Sequence, residues 1–185
     1  MDTRIETDKL VIKPTNFKDC ILFEKWESQN FIKQFLAIDD WRDYREIVTE
    51  FILRTQDITK MQFTILLKED NLPIGRIYIS RFDIHEGSID ITRIYIGEEA
   101  CLRKGYGREA MKGLLKFFFK DLLLERVTID FFEDNIRAKN LYSSLNFKSE
   151  GVARNVVKKN NEYLNLHVMS ILRDEYLSSI KQVMK

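Results

Sequence analysis

The sequence predicts one α/β (α+β) domain over residues 1–185. Three observations carry that expectation. Short runs with apolar residues at every second position dominate residues 62–96, the mark of half-buried strands. Beyond Gly105 the apolar repeat lengthens to that of amphipathic helices, alternating with further strand-like runs. Hydrophobic residues make up 44% of 185 positions, enough for one sizeable core in a chain of single-domain length.

The elements follow in order. Residues 7–14 alternate and stop at Pro14, reading as a first strand. Asn16 is placed to cap a helix running to about residue 28, with Phe17, Cys20, Ile21, Phe23 and Glu24 at near-helical spacing. A second helix is expected over 43–55, burying Ile47, Val48, Phe51 and Ile52; the aromatic and acidic stretch 30–41 between them reads as turn-like. Residues 62–68, 73–82 and 88–96 form three strands joined by short polar turns, an antiparallel meander. Met111, Leu114, Leu115, Phe118 and Leu122 share one face of a helix over about 105–121. A strand at 127–132 leads to a helix opened by Asn135, with Ala138, Leu141, Tyr142 and Leu145 on one side. A hairpin of 148–154 and 162–172 turns at Asn160-Asn161. The tail, 174–185, reads as a helix whose stripe (Tyr176, Leu177, Ile180, Val183, Met184) packs on its own core or on a second copy, so a homodimer is possible. There is no repeat and no linker.

Charge and composition exclude several roles. Thirty basic against 29 acidic residues give a net charge of +1, without the basic excess of a domain that grips nucleic acid. The greasiest stretch, 114–124, is broken by Lys116, Lys120 and Asp121, so no membrane-spanning helix is expected. Residues 1–8 are polar and lack the apolar segment of a signal peptide. Cys20, Cys101, His85 and His167 are not clustered as zinc ligands are. The expectation is a cytoplasmic protein with free thiols and no metal, and both histidines are expected at the surface.

Glycine is scarce, seven residues in 185, where about 7% is ordinary. Only Gly105 and Gly107 fall close together, directly after a strand and directly before a strong helix. A helix N-terminus offers unpaired N–H groups and a partial positive charge, and glycine lets an anionic group approach the backbone. Arg103, Lys104 and Arg108 add cationic side chains. A phosphate or pyrophosphate suits such a loop; so does a bare tight turn. No third glycine completes a dinucleotide fingerprint, and no Gly-Lys-Ser/Thr makes a P-loop.

A second motif, Asn135-x-x-Ala138-x-x-Leu141-Tyr142 followed by Phe147, lies one crossover downstream. Together the two resemble the GNAT superfamily of acyl-CoA-dependent N-acetyltransferases, whose phosphate loop is usually Arg/Gln-x-x-Gly-x-Gly/Ala. The downstream helix of that family often reads Asn-x-x-Ala-x-x-Leu-Tyr-x-x-x-Gly-Phe. The opening Thr7-Asp8-Lys9-Leu10-x-Ile12-x-Pro14 is similar to the branch holding ribosomal-protein N-terminal and spermidine acetyltransferases. The resemblance spans nearly the whole chain in the right order. It departs at Leu102, which stands where Arg or Gln is usual, and at Asn146, which replaces a glycine.

The resemblance implies the GNAT fold: a mixed, mostly antiparallel central sheet flanked by helices, here with a C-terminal helical tail. It implies transfer of an acetyl group from acetyl-CoA to a primary amine. Ile94, Tyr95 and Ile96 would pair with the pantetheine amides. Residues Leu102, Arg103, Lys104, Gly105, Tyr106, Gly107 and Arg108 would surround the pyrophosphate, and Asn135 would touch the cofactor arm. Tyr142 would be the general acid, since a phenol with a pKa near ~10 stays protonated at neutral pH; periodicity alone also allows a mere core aromatic. Asp90 is the expected base, with an exposed carboxylate balanced by Arg93 as the alternative. Asp39, Asp40 and Glu133 could draw in a cationic amine, and Asp39, Asp40, Glu98 and Glu99 hint at a polyamine. A small amine or polyamine is favoured as acceptor, with a protein N-terminal amine or a non-catalytic acyl-CoA-binding module as alternatives.

Overall fold

The computed structural model describes residues 3–38 and 42–183. Asp39, Asp40 and Trp41, and Met184 of the tail stripe, lie outside the described residues.

The described residues form an eight-stranded sheet in the order β1-β2-β3-β4-β5-β6-β8-β7. The first half is antiparallel throughout: β1 (Ile5–Glu6), β2 (Leu10–Pro14), β3 (Met61–Leu67), β4 (Pro73–Asp83) and β5 (Ser88–Ile96). The second half is β6 (Arg126–Phe132) with the hairpin β7 (Lys148–Lys159) and β8 (Glu162–Leu172). The halves meet at a parallel pairing of β5 with β6. A parallel pair needs a crossover, supplied by α4 (Tyr106–Lys116) and a π-helical turn, Phe117–Asp121.

Helices cover both faces. On one, Met111, Leu114 and Leu115 of α4, Phe118, and Tyr142 of α5 (Ile136–Ser143) pack into a core with Ile12, Ile65, Ile77 and Ile91. The tail helix, α6 (Arg173–Val183), joins this core through Tyr176, whose ring lies 5.0 Å from Phe119. On the other face α1 (Cys20–Glu27) and α3 (Tyr44–Thr55) bury Cys20, Phe23, Trp26 and Ile47.

Several expectations need correction. Thr7 lies in the turn between β1 and β2 rather than starting a strand; its N–H donates to Leu10 O at 3.0 Å and its hydroxyl oxygen accepts from Leu10 N–H at 3.0 Å. Stretch 30–41 contains a short helix, α2 (Asn30–Lys33). The first helix begins as a 3-10 turn, Phe17–Asp19, capped by Asn16, and it buries Trp26 and Glu27 while Phe17 and Ile21 are exposed. Ile52 is likewise exposed, and Ile47 is the one fully buried residue of α3, packed with Cys20, Phe23 and Trp26 of α1. His167 is buried, stacked on Phe131 at 5.3 Å with Nε2 2.8 Å from Ser149 Oγ, whereas His85 is exposed as expected.

Candidate active site

The site begins with a slip in the alternation of β5. Its isoleucines fall at 89, 91, 94 and 96, so the period of two breaks between Ile91 and Ile94. The structure absorbs the extra residue as a β-bulge: Ile79 of β4 pairs with Ile91, and Tyr78 pairs with Arg93, leaving Thr92 unmatched. All four isoleucines thereby stay on the α4 face, while Arg93 and Tyr95 turn to the α1–α3 face.

At the same place the sheet splays. The β5–β6 pairing stops at Ile91–Ile129, yet β5 runs on to Ile96 and β6 to Phe132. The facing backbone edges of Thr92–Ile96 and Asp130–Phe132 are thus left without each other, a template for an extended amide-bearing ligand. Between them lies a cavity of about 370 Å³ that reaches from Phe31, Ile32 and Phe35 to the N-termini of α4 and α5.

Ile94, Tyr95, Ile96, Leu102, Arg103, Gly105, Tyr106, Gly107, Arg108, Asn135 and Tyr142 all line this cleft; Lys104 and Asp90 do not. The loop before α4 is built for backbone exposure. Gly105 caps the helix at φ +86° and Arg103 also adopts a left-handed conformation, at φ +60°. The first bond into the helix is Glu109 N–H to Gly105 O at 3.0 Å, so the N–H groups of Tyr106, Gly107 and Arg108 precede the helical ladder. A Cβ at Gly105 or Gly107 would meet nothing within 4 Å; the space above the loop is open to an anion. Splayed edges, free helix N–H groups and bare glycines together fit a CoA-like arm and pyrophosphate. Leu102 lines the cleft at the place where the resemblance expects Arg or Gln.

Other side chains are already committed. Asn135 Oδ1 accepts from Ala138 N–H at 3.1 Å, capping α5 and leaving Nδ2 for a ligand. Asn146 takes the left-handed conformation that its glycine-like place demands, φ +67°. The Tyr95 hydroxyl donates to Glu27 Oε1 at 2.9 Å, so that tyrosine lends the cleft backbone and ring surface only. Lys159 Nζ donates to Leu36 O at 2.9 Å, tying the β7–β8 hairpin to the segment after α2.

Tyr142 is 6% exposed, with its ring among Phe131 and Phe147, and its hydroxyl has no hydrogen-bond partner among the described residues. Burial, then the charge of Asp130, holds its pKa well above the usual phenol value. Asp130 lines the cleft two residues beyond Thr128, which is the register partner of Asp90. Asp130 keeps solvent contact, but partial desolvation, then the charge of Asp90, raise its pKa against the opposing pull of Arg81. Asp90 itself is in an ion pair with Arg81. Sequence reading overlooked Asp130 because it stands alone in an apolar strand; its register opposite the bulge is what gives it a place.

The matching family model is the acetyltransferase (GNAT) domain, aligned to residues 9–148. The chain belongs to the GNAT acetyltransferases. It is an acyl-CoA-dependent N-acetyltransferase by that membership. Similar proteins are an uncharacterized N-acetyltransferase, p20, of Bacillus licheniformis and the probable N-acetyltransferase YjcK of Bacillus subtilis. The first is 24% identical, covering 92% of this chain and 96% of that one; the second is 28% identical, covering 80% and 84%. Among solved structures, spermidine N-acetyltransferase of Vibrio cholerae in complex with CoA and spermine superposes with a TM-score of 0.82. Its identity is 19%, over 92% of this chain and 99% of that one. A probable GNAT acetyltransferase of Chromobacterium violaceum gives 0.83 at 18% identity, over 95% and 89%. Among the described residues no helix is long and apolar enough to cross a membrane.

Proposed function

We propose that this GNAT enzyme moves an acetyl group from acetyl-CoA to a primary amine by direct attack of the amine on the thioester. The observation that carries the reading is one cleft holding the open Gly105–Gly107 helix terminus, the unpaired β5 edge and Tyr142 together. Acetyl-CoA supplies the thioester. The N–H groups of Tyr106, Gly107 and Arg108 would hold its pyrophosphate, and the backbone of Ile94–Ile96 its amides. As the amine nitrogen bonds to the acetyl carbon, the carbon–sulfur bond breaks and its electron pair stays on sulfur. Tyr142 donates a hydrogen bond to that sulfur. The amine sheds one proton, and the Asp90–Asp130 pair receives it, with Asp130 as the carboxylate at the cleft and Asp90 behind it.

For the acceptor, a small-molecule amine is favoured, because among the described residues two of the acids near the cleft are engaged elsewhere. A polyamine calls for a ring of free acids. Here Glu98 accepts from Trp26 Nε1 at 2.7 Å and pairs with Lys25 at 2.8 Å, and Glu133 accepts from Asn165 at 2.9 Å. Calorimetry with acetyl-CoA, followed by thiol release over an amine panel that includes spermidine and short peptides, tests the proposal. Saturable acetyl-CoA binding with amine-dependent thiol release is expected. Binding with no release from any amine would instead indicate an acyl-CoA-binding module, and absence of binding would overturn the reading.

A further inference from the structure

A second cavity, of about 420 Å³, lies on the α3 side of the sheet, walled by α3, Ala37 and Ile38, and β7. Its charged lining is Arg42, Arg54, Arg93 and Lys158 against Glu46 and Glu50. Behind that wall the arginines outnumber the carboxylates they pair with, and Arg54 also lies 3.1 Å over the Tyr78 ring. Arg42 Nε lies 3.0 Å from Glu27 Oε2, and Arg76 Nη1 lies 2.6 Å from Glu27 Oε1. Arg93 Nη1 is 3.3 Å from both Glu27 and Glu50, while Arg42 and Arg54 also contact Glu50. Among the described residues, then, four guanidiniums share the buried Glu27 and the half-buried Glu50, with Glu46 beside Arg42 in the cavity lining.

The surplus is one of charge count and is felt in the electrostatics. Arg42 Nη2, Arg54 Nη1 and the facing Glu27 Oε2 and Glu50 Oε2 are all buried and make ion contacts without an aligned hydrogen bond. Burial, then the like charge of Arg93, press the Arg54 guanidinium down to about 8. A guanidinium keeps its proton, so this wall carries positive charge with incomplete compensation, a costly arrangement unless an anion completes it. Planar forks of this kind match carboxylate and phosphate oxygens. Lys158, exposed on the hairpin, adds a cation at the rim.

Arg93 lines this cavity and also the acetyl-transfer cleft. We infer that the acceptor is an amine bearing a carboxylate or phosphate group, held in the Arg42–Arg54–Arg93–Lys158 cavity while its amino group enters the cleft. The inference rests on the proposed amine acetylation and names the acceptor class for it.

Matched acceptors test it under saturating acetyl-CoA: an amino acid against its carboxamide, phosphoethanolamine against ethanolamine, and spermidine as a cation-only amine. The anionic member of at least one pair should exceed its neutral twin in kcat/KM by about tenfold or more, the factor one charged hydrogen bond supplies, with spermidine poorest. Lys158→Gln should shrink that preference several-fold and Lys158→Arg should keep it, with acetyl-CoA affinity by calorimetry the same in all three proteins. Neutral amines or spermidine matching the anionic ones would overturn the inference. A direct arm separates its failure from that of the acetylation reading: CoA-saturated protein is titrated with inorganic phosphate and with the same anionic amines. Saturable binding weakened by Lys158→Gln upholds the anion cavity even without turnover, and no saturable binding of any anion refutes it.

Discussion

Tyr142 is a weaker acid than the thiol it would serve. A free thiol has a pKa near ~8.5, while burial and then Asp130 hold the Tyr142 phenol above its usual value. Full proton transfer to a thiolate would therefore run uphill, and the useful act is a hydrogen bond that strengthens as charge builds on sulfur. Tyr142→Phe should lower kcat by roughly 100-fold, the usual size for losing one donor to a developing anion, while calorimetric acetyl-CoA affinity stays unchanged. Equal turnover in the variant would leave Tyr142 a packing residue. The carboxylates make a second residue-scale test. Asp90 raises the Asp130 pKa, so Asp90→Asn should lower it. The acid limb of the kcat/KM profile should then move to lower pH, and Asp130→Asn should remove the limb altogether. A limb that stays in place in both variants would assign the proton to water.

At the scale of elements, the glycine loop shows how backbone shape and ligand space can be separated. Gly105 sits at φ +86°, where a side chain is strained, whereas Gly107 is not marked by positive φ, and an added Cβ there enters open space. Gly105→Ala should cost about 1 kcal/mol of stability, as for a non-glycine residue forced left-handed. Gly107→Val should leave the denaturation midpoint nearly untouched and raise the acetyl-CoA Kd, because its bulk fills the space above the helix terminus. Urea unfolding paired with calorimetry on both variants checks the split. This loop was legible in the sequence because two glycines in so poor a chain mark it, and so were the meander and the α5 motif. The bulge was legible too, in the 89, 91, 94, 96 spacing, but reading that run as a regular strand passed over it. The exposure of Phe17, Ile21 and Ile52 was not legible: their spacing is helical, and which stripe faces inward is decided by the sheet, here by Trp26, Glu27 and Ile47. Asp130 reaches the cleft only through pairing across the sheet, which no local pattern encodes.

For the molecule as a whole, the buried charge cluster ties α1, α3, β4 and β5 into one unit centred on Glu27. Burial alone would raise the Glu27 pKa, but Arg93, Arg76 and Arg42 outweigh it and hold the carboxyl at about 2, against 4.5 in the unfolded chain. A carboxylate whose folded pKa is depressed stabilises the fold above the unfolded value and loses that contribution as pH falls towards the folded one. Glu27 should therefore contribute about 3 kcal/mol at neutral pH, lost between pH 4.5 and about 2. Surface carboxylates such as the half-buried Asp57 and the exposed Glu6 are also held low by their lysine partners, but salt screens those pairs. Urea unfolding across pH 2–6 at low and high salt separates the two sources: the surface share should fade with salt and the Glu27 share should persist. Glu27→Gln should lose about 3–5 kcal/mol at pH 7, as expected for removing one partner of a buried ion pair, and its stability should then vary less between pH 4.5 and 2. If the variant keeps the full salt-resistant acid limb, the limb belongs to another carboxylate and Glu27 does not hold the arginine cluster together.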